Sequence, residues 1–118
     1  MIIGIGTDLI EVKRIRDAIK RQGDAFLKKI FCDEEIAYAQ QSSDPYQHYA
    51  ARFAAKEAVF KAIGTKEYVA WKKIKIVNDA LGRPCCEYLE DNFPYDIFVS
   101  LSHTKDYAVA NAIITKKS

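Results

Sequence analysis

Several things this sequence has little of narrow what it can be. Its three cysteines, Cys32, Cys85 and Cys86, make neither a C-x-x-C pair nor an even framework. That pattern argues against a zinc ribbon and a disulfide scaffold and suits a reducing compartment. Apolar runs are far shorter than a bilayer span requires. The first residues lack the basic start and apolar stretch of a secretory signal, so no membrane contact and a cytoplasmic location are the expectation. Glycine is scarce, at five residues, and the opening "GIGTDL" puts Leu9 where a dinucleotide fingerprint needs its third glycine. Histidine occurs only at positions 48 and 103, too far apart in sequence to suggest a zinc motif. Low-complexity tracts, linkers and internal repeats are absent.

What is present reads as one domain over residues 1–118. Nearly half the residues are hydrophobic, enough for a modest core. The net charge of +2 is unevenly placed. Lys13, Arg14, Arg16, Lys20, Arg21, Lys28 and Lys29 crowd one stretch opposed only by Asp17 and Asp24. Such a patch suits an acidic protein, a phosphate ligand or nucleic acid, or is simply a solvated helix face.

Periodicity predicts a strand over 2–7, then a helix from Asp8 to Gly23 whose apolar stripe includes Ile10, Ile15 and Ile19. Short helices follow in "DAFLKKIF" and "DEEIAYAQQ", the latter with Asp33 as N-cap. A long helix spans about Tyr46 to Ile63 and stops at Gly64. Beyond it, "VAWKKIKIV", "CCEYL", "DIFVSLSH" and "YAVANAII" read as strands, the last two a hairpin around "TKD". The order predicts an α+β fold with an antiparallel sheet.

Three constellations could carry chemistry. Alternation along the first strand puts Gly4, Gly6 and Asp8 on one face, so Asp8 ends a face stripped of side chains that something could approach closely. Equally, Asp8 and Glu11 fit a capping box opening the helix. In "ARFAAKEAVFKAIG", Phe53 and Phe60 mark a buried face, and Glu57 lies only about 40° from Phe53 on the helical wheel. A carboxylate there is either one half of a surface pair with Lys61 or a metal ligand with a cation beside it. In "SLSHTKDYAVA", His103 closes a strand where it is a turn residue or, with Ser102 and Thr104, a phosphate contact.

Together and in this order, "GIGTDLIEVKRI", "RFAAKEAVFKAIGT" and "SLSHTKDYAVA" resemble the holo-(acyl-carrier-protein) synthases, the small single-lobed class of 4′-phosphopantetheinyl transferases. The resemblance spans essentially the whole chain. It implies transfer of the 4′-phosphopantetheine arm of coenzyme A to a serine of apo-acyl carrier protein, a step supporting fatty acid biosynthesis, with magnesium as cofactor. It assigns Asp8 and Glu57 to the metal and Glu57 and Lys61 to catalysis. Arg52, Lys61, His103 and Thr104 are assigned to coenzyme A, and Arg14, more loosely Arg21 and Phe26, to the carrier protein. It further implies a homotrimer with sites between subunits. Two stretches depart from the family pattern. "SSDPYQHY" lacks the basic residues that many relatives offer the 3′-phosphate. Lys66 replaces the second glycine of a G-T-G loop and adds a candidate phosphate contact. The alternative from the residues alone is a small nucleic-acid-binding domain using the basic stretch. It matches no recognised module and lacks interleaved aromatics.

Overall fold

A computed structural model describes residues 1–64 and 70–117. Strand β1 (Ile2–Glu11) leads directly into helix α1 (Val12–Gln22), followed by α2 (Asp24–Ile30), α3 (Asp33–Gln40) and the long α4 (Pro45–Ile63). A 3₁₀ turn (Trp71–Lys73) opens the second half, which continues with β2 (Ile74–Asn78), β3 (Pro84–Tyr88), β4 (Tyr95–His103) and β5 (Tyr107–Lys116). One antiparallel sheet has the order β1-β5-β4, and β2 and β3 pair as a separate antiparallel hairpin. The α+β architecture is the expected one. Thr65 and Lys66, read as a loop near the ligand, and Val69, read as the start of a strand, lie outside the described residues.

The start of the chain differs from its sequence reading. β1 runs on to Glu11, pairing Asp8 with Ala110 and Glu11 with Tyr107. Asp8 therefore caps no helix. Glu11 is the N-cap of α1 with extended backbone and no side-chain cap, and Val12 N–H donates instead to the carbonyl of Asp106, 2.8 Å away. Continuous pairing with β5 from Gly4 to Glu11 outweighs the local capping preference, as tertiary pairing routinely does.

Two smaller boundaries also move. Cys32, not Asp33, is the N-cap of α3, and its N–H donates to the Glu35 carboxylate at 2.8 Å. Trp71 belongs to the 3₁₀ turn rather than a strand, and its ring stacks on Phe53 and meets Phe60 edge-on, with centroids 4.9 and 4.8 Å apart.

Helix α4 is the centre of the fold. Asp44 caps it by accepting from Tyr46 N–H, Pro45 fills the first turn, and Gly64 ends it at φ 100°. Its fully buried face is made of small residues, Ala50, Ala51, Ala54, Ala55, Ala58 and Ala62, and not of Phe53 and Phe60, which are half-buried against Trp71. The alanines lie on Ala108, Ala110 and Ala112 of β5 and on the glycines of β1. A Cβ on Gly4 would overlap the carbonyl oxygen of Ala62, and one on Gly6 that of Ala58. The bare strand face thus admits a helix backbone rather than a ligand.

On its other side α4 carries a buried ion pair. Lys56 is fully buried, and its ammonium donates to Glu35 at 2.6 Å and to the carbonyls of Ile30 and Trp71 at 2.8 and 3.2 Å. Glu35 also accepts from Ile76 N–H at 3.1 Å. Burial pushes the Lys56 pKa below its ordinary value while Glu35 pulls it back up. Three acceptors for three N–H donors suit the charged form. The pair ties α4 to α2, α3, the 3₁₀ turn and β2.

Candidate functional site

The close approach of α4 to β1 brings three of the expected residues together. Asp8 is the next residue beyond Gly4 and Gly6 on the helix-facing side of β1, within reach of Lys61 and of the charge on Glu57. The Lys61 ammonium donates to Asp8 Oδ1 at 3.2 Å and to the Thr7 carbonyl at 2.9 Å. Lys61 therefore pairs with Asp8, not with Glu57 four residues before it as the helix alone suggested. Glu57 is half-buried, and its pKa is raised, first by burial and then by the charge of Asp8, with Lys61 working in the opposite direction. Asp8 is near enough for its charge to disfavour ionisation of Glu57, and two such carboxylates form a locus for a cation.

That donor set is small and all oxygen. Among the described residues no group of three or more His, Cys, Asp or Glu gathers. Mg²⁺ commonly takes one or two carboxylates and fills its remaining positions with water and substrate phosphate. Asp8 and Glu57 fit that requirement. Burial pushes the thiols of Cys32 and Cys86 up, the latter to about 12, away from the thiolate that nucleophilic catalysis needs.

A second cluster surrounds Arg52 and His103. Arg52 is 5% exposed, and its guanidinium lies over the Tyr38 ring at 4.3 Å. Its Nε is buried without a hydrogen-bond partner among the described residues. His103 Nδ1 lies 3.0 Å from Gln47 Oε1. Arg52, His103, Tyr38 and His48 line one cavity of about 190 Å³. The strand register puts Asp8 and Leu101 opposite the same residue, Ala110, with His103 two positions further on. At ordinary strand spacings the Cα atoms of Asp8 and His103 are then roughly 12 Å apart. The two clusters are separate stations on one surface. Thr104 serves the turn, its hydroxyl oxygen accepting from Asp106 and Tyr107 N–H at 3.3 and 3.1 Å.

Arg14, Arg21 and Phe26 come together as well. They line a groove of about 340 Å³ with Ile10, Ile15, Asp17, Ala18 and Phe53, where α1 and α2 meet α4. Both arginines are exposed and Phe26 is half-buried, so the groove has an apolar floor and a basic rim. Lys56 is the residue the sequence reading passed over. Its one signal was a lysine inside an alanine run next to Glu57, a place where a charge cannot reach water.

With this geometry in view, comparison with known proteins assigns the class. The model of the 4′-phosphopantetheinyl transferase superfamily matches residues 4–112, and the chain belongs to that family. Within it, the likeness is to one kind of enzyme. The holo-[acyl-carrier-protein] synthase of Thermodesulfovibrio yellowstonii is 42% identical over 115 residues, covering 98% of this chain and 100% of the relative. Among solved structures, the Neisseria meningitidis holo-[acyl-carrier-protein] synthase superposes with a TM-score of 0.87 at 37% identity, over 98% of this chain and 100% of that one. The Bacillus anthracis holo-(acyl-carrier-protein) synthase, solved in complex with CoA (3′,5′-ADP), gives 0.86 at 33% identity over 99% of both chains. The nucleic-acid-binding alternative finds no support in this membership.

Proposed function

We propose that this chain is a holo-(acyl-carrier-protein) synthase, which moves the 4′-phosphopantetheine arm of coenzyme A onto a serine hydroxyl of apo-acyl carrier protein and releases adenosine 3′,5′-bisphosphate. The observation that carries the reading is the convergence of Asp8, Glu57 and Lys61 where α4 crosses β1. It is joined by family membership over nearly the whole chain. Asp8 and Glu57 would hold Mg²⁺, which when bound polarises the pyrophosphate and offsets its charge. Glu57 accepts the proton of the attacking serine hydroxyl, a task its raised pKa favours by bringing it nearer to neutrality. Lys61, already aimed at Asp8 and 54% exposed, faces the departing phosphate and donates to it. Arg52 and His103, one station along, take the other phosphate of coenzyme A, the 3′-phosphate.

The groove of Arg14, Arg21 and Phe26 would receive the acidic carrier protein. The far face of the three-stranded sheet supports self-association. Ile5, Ile113 and Phe98 form one row across β1, β5 and β4, and Ile5, Leu9 and Phe98 are 70%, 66% and 58% exposed. An apolar sheet face left open in this way suits burial between copies, and the proposed assembly is a homotrimer with shared sites. No described helix is long and apolar enough to cross a membrane, and a cytoplasmic setting is part of the proposal. The test is intact-mass analysis of apo-acyl carrier protein incubated with the chain, coenzyme A and Mg²⁺. One phosphopantetheine arm should be added, and a chelator should prevent it. An unmodified carrier protein overturns the reading.

A further inference from the structure

The cavity beside Arg52 contains a group that the transfer reading leaves unused. The chain has two histidines, and both line this one cavity. The His48 ring sits between Tyr38 of α3 and His103 of β4, edge-on to both, with centroids 5.3 and 5.6 Å away. Arg52, one turn further along α4, has a buried Nε with no hydrogen-bond partner among the described residues. The stretch 42–49 that leads into the cavity has no lysine or arginine, so His48 is its sole group able to gain positive charge. We infer that His48 is a specificity-determining residue for a phosphomonoester: it becomes cationic as the phosphate enters, and it reads the 3′-phosphate of coenzyme A together with Arg52 and His103.

The electrostatic surroundings agree. Burial, Arg52 and His103 hold the His48 pKa below its ordinary value, and Asp44 at the N-cap of α4 works weakly the other way. Tyr38, from α3, is a further titratable group against the ring. The free cavity therefore keeps His48 neutral near pH 7. A dianionic phosphate placed between the three groups reverses that balance, and the imidazole then takes one proton from solvent. Binding of the 3′-phosphorylated nucleotide thus consumes a proton that binding of its dephosphorylated form does not, and its affinity advantage grows as pH falls from 8 toward 7.

This inference rests on the proposed transfer reading, and one experiment separates the two. Coenzyme A and 3′-dephospho-coenzyme A are titrated calorimetrically into the full chain in buffers of different ionisation enthalpy, which counts protons taken up. His48→Phe keeps an aromatic ring against Tyr38 and His103 but cannot protonate, and His48→Gln is a second variant should the first fold poorly. The expected result is extra proton uptake with coenzyme A in the wild type and its loss in both variants. The preference for coenzyme A over the dephospho form should fall by roughly tenfold, the scale of one charge-assisted hydrogen bond. Unchanged uptake and preference in the variants, while the wild type still binds and transfers, overturn the role of His48 alone. A wild type that binds neither nucleotide overturns this inference and the transfer reading together.

Discussion

Replacing Lys56 with methionine keeps the length of the side chain and removes its charge. The consequence follows from what Lys56 touches. Glu35, 1% exposed, loses its counter-ion but keeps the N–H donors of Cys32 and Ile76. The carbonyls of Ile30 and Trp71 lose a donor. Removing one member of a buried pair costs about 3–5 kcal/mol, chiefly through the stranded charge. A chain of this size has roughly 6–18 kcal/mol of stability in all, so the variant should fold but with a much reduced margin. At about 4 °C per kcal/mol, Tm should fall by roughly 12–20 °C. Urea unfolding followed by circular dichroism, at one fixed protomer concentration, measures the loss directly. The double variant Lys56→Met, Glu35→Gln should recover part of it, because a neutral amide strands no charge. If Lys56→Met lies within about 1 kcal/mol of wild type, or the double variant is no better than the single, the pair does not hold α4 as described.

Other expectations probe different contacts. Gly6→Ala drives a methyl group into the carbonyl of Ala58 and should cost about 3 kcal/mol, the upper range for overpacking, in the same unfolding assay. Arg14→Glu reverses a charge on the rim of the α1–α2 groove, so KM for the carrier protein should rise roughly tenfold or more while KM for coenzyme A stays put. Steady-state kinetics with each substrate varied in turn decide it. Ile5→Asp places a charge in the open apolar row of the sheet, and sedimentation should show a smaller species than the wild type forms.

Much of this was legible in the sequence, and the exceptions have physical causes. The α+β order and, to within a residue at its start, the bounds of the long helix follow from periodicity and a terminal glycine. The end of β1 did not, because D-L-I-E satisfies a capping pattern locally while its real partner, Tyr107 to Ala110, lies a hundred residues away. Gly4 and Gly6 correctly announced a close approach, but sequence could not say that the visitor is α4. The wheel of α4 misplaced its buried face because the helix is covered on two sides, by alanine-lined strands and by Trp71 with its neighbours. The Lys56–Glu35 pair was hidden for a related reason: a lysine within an alanine run hints at burial, but its partner lies on another helix, and only the fold brings the two together. Asp8, Glu57 and Lys61 were found through a resemblance, and their mutual placement came from the structure.

The central claim is that the Asp8–Glu57 carboxylates, with Lys61, perform the transfer, and the rate of phosphopantetheine transfer by Glu57→Gln tests it most directly. In the metal-free chain Glu57 is a half-buried carboxylate beside another negative charge, so its neutral isostere should match or exceed the wild type in Tm. Such stability at the expense of activity is common at functional sites. The account predicts a variant that melts no earlier than wild type and transfers nothing to the carrier serine at saturating coenzyme A and Mg²⁺. Transfer at a rate near that of the wild type would contradict it.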